Sequence, residues 1–332
     1  MVQPPPAARH ISHPGTPPVP DGGWLRPSPE RPAEPRWGHV DGIQVGLHPL
    51  PGPRGLLRLY TPYLGHDRLR LLNFVAVEPI AAGESRRGFS ELERSDLDDA
   101  PGKRFWTSDE PGDVEPADPQ AAARGVVEDV NGAECLTVWV HSERFANGAE
   151  VSVRVRFFAD RPREVSLAAF RREGSVELAH CVLTATMGNF ARLRHLHLRD
   201  RVVTPAELWP GFTRTDFTDH GRFGVAELAQ APDGGVVVAA TPDEAAPHEA
   251  LHADGTSAHW RYVGQRAVQG WRVPEPSPEL QVLVNGRWAY WASQSPIPGG
   301  VSYENFEILE PFCDGQEFVY WAEPMDDEFG WH

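Results

Sequence analysis

A two-residue alternation of apolar and polar side chains constrains the fold of this chain most strongly. The stretch AEVSVRVRFF places four apolar residues at every second position: Val151, Val153, Val155 and Phe157. Successive side chains of a strand point to opposite faces, so this spacing predicts a strand with one buried face. The stretches ECLTVWV, REVSLAAF, GGVVVAATP and LQVLVNGRWAYWAS are also typical of strands.

Turn signals separate these runs. Four dipeptides that suit tight hairpins lie beside strand-like stretches: Asn131-Gly132, Asn147-Gly148, Asp233-Gly234 and Asn285-Gly286. With 33 prolines and 31 glycines in 332 residues, we expect many turns and few long helices. Helical periodicity is limited to the short segments TPAELWPG and FSELERSDL. The sequence therefore predicts an all-β protein, a large antiparallel β-sandwich with long loops.

The composition also suggests how the chain is divided. Residues 1–36 are proline-rich and almost without apolar periodicity, which predicts a disordered N-terminal arm or one that wraps around the domain. Residues 37–332 are predicted to form a single β-sandwich domain. Within it, the acidic segment from Asp109 to Gly125 is too long for a tight turn, so we interpret it as a flexible insertion or a lid.

Charge and motifs exclude several functional classes. A net charge of −16 argues against a nucleic-acid or anionic-membrane surface, and no stretch resembles a leader or a membrane span, so we expect a soluble cytoplasmic protein. The three cysteines, Cys135, Cys181 and Cys313, match no zinc pattern and are predicted to be reduced and half-buried. Neither a phosphate-binding loop nor a nucleophile motif is present, and we predict no cofactor.

The C-terminal stretch NFEILEPFCDGQEFVYWAEP combines a Glu-rich strand, a proline corner, a Gly-Gln turn and an aromatic strand. The residues concerned are Glu307, Glu310, Pro311, Gly315, Gln316 and Trp321. This pattern resembles the last strands of the galactose-mutarotase-like super-sandwich proteins. The resemblance implies a super-sandwich fold, a carbohydrate ligand and a sugar-facing carboxylate at Glu307 or Glu310. The Asn-His-x-x-Phe-Asn segment of the family's epimerases is absent, and MGNFARLRHLHLRD stands in the corresponding middle position.

That middle segment supplies the histidine candidates. As a regular strand it would place His195, His197 and Arg199 on one face together with Leu193, and Arg194 on the other. Imidazoles move protons near neutral pH and guanidinium groups neutralise carboxylates. We therefore predict acid–base roles for the two histidines and ligand contacts for the two arginines. Asn189 is a further ligand-binding candidate. The alternatives are a structural polar face and a His-x-His metal site.

Two loops contribute further candidates. In the segment from Arg86 to Asp109, the paired carboxylates Glu91 and Glu93 are acid–base candidates, beside Arg104 as a ligand contact and Trp106 as a stacking platform. A solvated acidic loop is the alternative. A second loop carries Tyr63 and His66 as binding candidates. Six aromatic residues near the C-terminus form either core or a sugar platform: Trp260, Tyr262, Trp271, Trp288, Tyr290 and Trp291.

These observations favour a carbohydrate-active protein that acts on an oligosaccharide or sugar acid through His and Glu acid–base chemistry, as a lyase, hydrolase or epimerase. One alternative is a non-catalytic carbohydrate-binding or structural β-sandwich, and another is a His-x-His metal enzyme. The leading hypothesis requires the face of His195 and His197 to meet the corner of Glu307 and Glu310 in one cleft. Glu304 is expected at a solvent-exposed strand edge.

Overall fold

The computed structural model describes residues 18, 20–28, 35–47, 54–66, 71–112, 122–186, 192–244, 262–291, 293–325 and 329–331. The protein is nearly all β, with two large antiparallel sheets of 10 and 11 strands. The prediction of an all-β sandwich is confirmed.

The first sheet has the strand order β1-β2-β3-β4-β5-β6-β12-β20-β19-β15, with strands numbered along the chain. Its strands are β1 Pro20–Asp21, β2 Trp24–Leu25, β3 Arg36–His39, β4 Gln44–Gly46, β5 Leu56–Tyr60, β6 Asn73–Ala81, β12 Leu178–Thr186, β15 Gly221–Gly224, β19 Gln281–Arg287 and β20 Ser302–Leu309.

The second sheet has the order β14-β13-β17-β18-β21-β11-β10-β9-β7, with β16 paired to β17 and β8 to β9. Its strands are β7 Phe105–Ser108, β8 Val126–Val130, β9 Ala133–Ser142, β10 Val151–Phe158, β11 Glu164–Arg171, β13 Leu193–His197, β14 Val202–Val203, β16 Ala229–Gln230, β17 Val236–Pro242, β18 Ala267–Val273 and β21 Glu317–Pro324. The helical elements of the described residues are one α-helix, Pro205–Leu208, and two 3-10 turns, Pro62–Leu64 and Val225–Glu227.

The two sheets pack against each other around a common apolar core. The four alternating residues of β10 are all in this core, as the sequence predicts. Val75 and Val77 of β6 and Phe306 and Ile308 of β20 enter it from the other sheet. Because side chains alternate along a strand, the intervening residues of β6 and β20 face outward on the first sheet. This alternation places Glu78 of β6 and Glu307 of β20 on the outer face of the first sheet.

A buried polar contact also links the two sheets inside the core. Asn73 of β6 donates from Nδ2 to Gln269 Oε1 of β18 at 3.0 Å, and the Tyr320 hydroxyl of β21 donates to the same oxygen. All three side chains are fully buried. Buried polar groups are costly unless they are paired, so this contact helps to fix how the sheets align.

Two local predictions are corrected by the structure. Asn285-Gly286 is not a turn but part of β19, where Gly286 pairs with Tyr303. A Cβ at Gly286 would lie 2.6 Å from the Ser302 carbonyl oxygen, so the glycine permits a close strand approach rather than a turn. The segment FSELERSDL forms turns instead of a helix, whereas TPAELWPG contains the helix Pro205–Leu208.

The N-terminal boundary also differs from the prediction. Strands β1 and β2 lie within residues 1–36, and Trp24 belongs to the main core. Pairing of β2 with β3 extends the first sheet upstream of the predicted boundary, because the apolar pair Trp24–Leu25 is buried there. Residues 1–17, 19 and 29–34 of the predicted arm lie outside the described residues.

The cysteines are free, but they are not half-buried as expected. Cys135 and Cys181 are buried, Cys181 in the apolar core, and Cys313 is exposed. Within the described residues, no helix has the length and apolar character needed to cross a membrane.

Candidate functional site

A cluster of ionisable side chains lies on the outer face of the first sheet. Glu307 of β20 is paired directly with Thr184 of β12. On the opposite side of β12, Glu78 of β6 pairs with Val182, two residues along the strand. The outward face therefore carries two carboxylates on strands separated only by β12.

The chain that follows β6 turns back and brings two more ionisable groups. Residues 87–90 run along the part of the β6 edge that β5 does not cover. Arg87 forms a β-bridge with Ile80. Gly88 N–H donates to the Pro79 carbonyl, and Ser90 N–H donates to the Val77 carbonyl. The Ser90 hydroxyl in turn accepts from Val77 N–H at 2.9 Å. These bonds fix the positions from which the side chains of Arg87 and Glu91 extend.

One guanidinium nitrogen serves both strand carboxylates. Arg87 Nη1 lies 2.6 Å from Glu78 Oε2 and 2.8 Å from Glu307 Oε2. The two acidic oxygens are thus within two hydrogen-bond lengths of each other, around a single cation. Both carboxyl groups are buried, so their mutual repulsion is weakly screened and their protonation states diverge.

The carboxyl groups of the cluster have separated pKa values. Burial, with the charges of Glu91 and Glu307, raises the pKa of Glu78 to about 8 against the opposing pull of Arg87. Burial likewise raises the pKa of Glu91 to about 7. Burial acts in the same direction on Glu307, but the His220 hydrogen bond and the Arg87 charge outweigh it and lower its pKa. At neutral pH Glu307 is therefore ionised, Glu78 mostly retains its proton, and Glu91 lies close to the midpoint of its titration.

His220 completes the cluster from the segment just before β15. Its Nε2 lies 3.1 Å from Glu307 Oε1, and the Asn285 amide approaches the same nitrogen at 3.4 Å. Since the carboxylate accepts, the proton is assigned to Nε2, and Nδ1 carries the lone pair. The imidazole is 30% exposed whereas the Glu307 side chain is only 2% exposed. A buried carboxylate thus orients an accessible base, an arrangement suited to proton transfer.

The predicted meeting of His195 and His197 with Glu307 is wrong. The two histidines lie on β13 in the second sheet, whereas Glu307 projects from the outer face of the first. A bulge between Leu193 and His195 shifts the strand, so that Leu193 and Leu196 both enter the core. The predicted alternation fails because one extra residue resets which side chains face inward.

His197 is enclosed on the outer face of the second sheet. Its Nε2 contacts the Thr241 hydroxyl at 2.8 Å, and its ring lies edge-on to Phe329, with ring centroids 4.8 Å apart. Burial lowers the pKa of His197 to about 4. The imidazole is therefore neutral at physiological pH and engaged in packing.

The arginines of this region bind backbone carbonyls. Arg194 donates to the carbonyls of Val301, Pro298 and Gly300 and pairs with Asp243, so it holds the loop before β20. Arg199 donates from Nε to the Leu228 carbonyl. Neither is part of the cluster around Glu307. Asn189 lies outside the described residues.

Several other predicted site residues also have structural contacts away from the cluster. Glu93 accepts from the backbone N–H groups of Phe89 and Ala146 and thereby orders the acidic loop. Trp106 is buried and stacks on His141, with centroids 5.8 Å apart, so it is not an open platform. Arg104, two residues before it in the chain, donates its backbone N–H to Glu143.

The remaining candidates lie at other positions. Glu310 is buried at the proline corner, and its Oε1 accepts from Ser277 N–H at 2.7 Å. The Tyr63 hydroxyl donates to the Ala322 carbonyl. His66 Nε2 contacts the Thr61 hydroxyl at 2.9 Å. Of all the predicted acid–base residues, the cluster brings together Glu91 and Glu307.

Glu304 is also placed differently from the expectation. It is buried rather than at a wet edge, because a bulge in β20 sets it beside Arg287 of β19. Among the predicted aromatic residues, Tyr262 and Trp271 belong to the core, Tyr290 is buried and Trp291 is exposed. Trp260 lies outside the described residues.

Sequence reasoning missed Glu78, Arg87 and His220. Glu78 could have been noticed as the single charged residue of the strand NFVAVEPIA. Arg87 lies in the segment from Arg86 to Asp109, but the acid–base candidates selected there from the sequence were Glu91 and Glu93 and not Arg87. His220 carries no local signal, because its partner Glu307 is 87 residues away.

No group of three or more His, Cys, Asp or Glu residues is placed to hold a metal ion in the part of the chain that the structure describes. In comparisons with known proteins, no family matches this sequence, and no curated protein matches it either.

Proposed function

We propose that the protein is a carbohydrate-active enzyme whose outer-face cluster transfers protons to and from a bound sugar. The observation that carries the proposal is the contact between His220 and Glu307, in which a buried carboxylate holds a partly exposed imidazole. A positioned imidazole is the commonest general acid–base group. The resemblance of the C-terminal strands to galactose-mutarotase-like proteins supports a sugar as the ligand.

The contacts and the burial of the cluster suggest the roles. His220 Nδ1 faces the ligand as the base, and Glu307 orients the ring and stabilises the imidazolium after proton uptake. Glu78, whose pKa is raised to about 8, keeps its proton at neutral pH and supplies the acid.

The charge of the cluster favours a neutral sugar over a sugar acid. Arg87 already contacts two carboxylates, and Glu91 adds a third acidic group beside them. A lyase reaction needs a cation to stabilise the carboxylate of its substrate during proton removal. We therefore place hydrolysis or epimerisation of a neutral oligosaccharide ahead of elimination.

The test is a panel of neutral and uronate-containing oligosaccharides. Reducing-end release reports hydrolysis, ultraviolet absorbance reports unsaturated lyase products, and proton NMR reports epimerisation. His220→Asn and Glu307→Gln are each expected to reduce turnover by roughly a hundredfold or more. Glu177→Gln, whose side chain is 82% exposed, is the matched control and should retain full turnover.

Full turnover in both site variants, with correct folding shown by circular dichroism, would overturn the proposal. If the wild-type protein binds sugars but converts none of them, the non-catalytic carbohydrate-binding alternative is correct instead.

A further inference from the structure

We propose that Phe217 and Trp291 form a stacking subsite for a second, neutral sugar ring, so that the ligand spans at least two rings. This inference rests on the proposed function and specifies its substrate class. It starts from an exposed aromatic pair beside the cluster. Phe217 is 39% exposed and Trp291 is 42% exposed, and their ring centroids are 6.5 Å apart.

This pair differs from the other exposed apolar residues of the protein. In the described ranges, the remaining exposed large apolar side chains are aliphatic: Leu92, Leu97, Val126 and Val202. Single exposed aliphatic residues are ordinary and need no explanation. Two adjacent aromatic rings offer flat π-faces of the kind on which the C–H face of a pyranose packs.

The rings are held from below by a buried arginine. The Arg287 guanidinium carbon lies 5.2 Å from the Phe217 ring centroid and 4.9 Å from that of Trp291. Its Nε donates to the Ala289 carbonyl at 3.3 Å, and its Nη2 faces the carbonyls of Thr215 and Tyr290. The cation therefore supports the platform through cation–π contacts, which fixes both rings before a ligand arrives.

The charge around the platform determines what it can recognise. Arg287 is directed into backbone carbonyls, and the buried Glu304 lies close enough for the two charges to interact. The subsite therefore offers a ligand an aromatic surface. The Arg287 guanidinium is not directed toward a position where it would bind a carboxylate of the substrate. A neutral pyranose ring is the sugar that this surface favours.

The platform is aligned with the proton-transfer site. Asn285 and Arg287 are two residues apart on β19, which corresponds to about 7 Å along a strand. The His220 ring contacts the Asn285 side chain, and the backbone of Phe217 forms an antiparallel β-bridge with that of Arg287. Thr218 locks this register, because its N–H donates to the Gly286 carbonyl and its hydroxyl accepts from Gly286 N–H, both at 2.9 Å. Adjacent rings of one oligosaccharide could occupy the two positions together.

The experiment measures binding against chain length. Glucose and N-acetylglucosamine are compared by calorimetry with maltose, cellobiose, chitobiose and their tri- and tetrasaccharides, in a Glu307→Gln background to prevent turnover. We expect Trp291→Ala and Phe217→Ala to weaken binding of the longer sugars by about tenfold. Monosaccharide binding should stay the same. Trp291→Phe should restore most of the loss, and Val202→Ala, an exposed apolar residue of the second sheet, should change nothing.

The outcomes separate this inference from the proposed function. Unchanged binding of longer sugars in both alanine variants overturns the subsite, even if His220→Asn still abolishes turnover. An equal loss for monosaccharides and longer sugars also overturns it, since the platform would then hold the reacting ring. If no sugar of the series binds the Glu307→Gln background and the native chain converts none, both the subsite and the proposed function are contradicted.

Discussion

His220 and Glu307 are 87 residues apart in the sequence, yet their side chains meet at 3.1 Å between Nε2 and Oε1. The contact joins a segment beside the edge strand β15 to a central strand of the first sheet, across β19. It combines low exposure of the carboxylate with higher exposure of the imidazole. The interior of the sheet thus determines the orientation of a group that a ligand can reach.

The first prediction compares two neighbouring glutamates. Glu307→Gln removes the charge that holds His220 and faces Arg87, so turnover of a converted oligosaccharide should fall by roughly a hundredfold or more. Glu310→Gln keeps an oxygen that can accept from Ser277 N–H, so its turnover should remain within about twofold of wild type. Steady-state kinetics on both variants check this, and equal losses would contradict the assignment.

The second prediction concerns the shared cation. Arg87→Met leaves Glu78 and Glu307 buried without their counter-charge, and loss of one partner in a buried ion pair costs about 3–5 kcal/mol. Urea unfolding at pH 8 should show this decrease in the free energy of unfolding. At pH 5 the decrease should be smaller, because the carboxyl groups can neutralise themselves by binding protons.

The control for that substitution is Arg94→Met. Arg94 pairs with Asp99 at the surface, with both side chains largely exposed, so its loss should leave the free energy of unfolding close to the wild-type value at either pH. If the two variants lose similar stability, Arg87 has no special role in holding the buried carboxylates.

The sequence predicted the sheets better than the site, for a physical reason. Alternation in β10 reports directly which side chains are buried, since one residue step reverses the face. The same rule grouped Leu193 with His195 and His197, but the bulge between Leu193 and His195, which has no local signature in the residues, places Leu193 in the core and leaves the two histidines on the opposite face. A one-residue irregularity is enough to move a side chain from its predicted face to the other face of the sheet.

The cluster itself depends on strand order, which local patterns do not contain. Glu78 and Glu307 become neighbours only because β12 pairs with both β6 and β20. Asn285-Gly286 shows a related limit, since the dipeptide suits a hairpin turn and yet lies inside β19. There Gly286 is required by close backbone packing against Ser302, a long-range contact.

The third prediction tests the polar link between the sheets. Tyr320→Phe removes one hydroxyl but leaves the hydrogen bond from Asn73 to Gln269, so the cost should be about 1–2 kcal/mol. Gln269→Leu removes the acceptor that both groups share and leaves Asn73 Nδ2 with only the Tyr320 hydroxyl oxygen, at 3.2 Å, so it should cost more, about 2–4 kcal/mol. Urea unfolding of the two single variants and the double variant measures their coupling. Strict additivity would contradict a connected network.

The last prediction follows from the buried carboxyl group of Glu304. Burial raises its pKa from an ordinary value of 4.5 to about 7, with Arg287 opposing the rise. Between these pH values the folded protein retains a proton that the unfolded chain releases. The associated stability is therefore complete below about pH 4.5 and is lost as the pH rises through 7.

Glu304→Gln cannot release this proton, so its free energy of unfolding relative to wild type should increase as the pH rises from 4.5 to 8. The pKa change corresponds to a gain on the order of 3 kcal/mol. Using the difference between two proteins cancels the similar slopes that Glu78 and Glu91 contribute. Glu177→Gln, at an exposed site, should run parallel to wild type across the range. Parallel curves for Glu304→Gln would instead mean that the carboxylate is ionised in the folded protein at little cost, with Arg287 compensating fully for its burial.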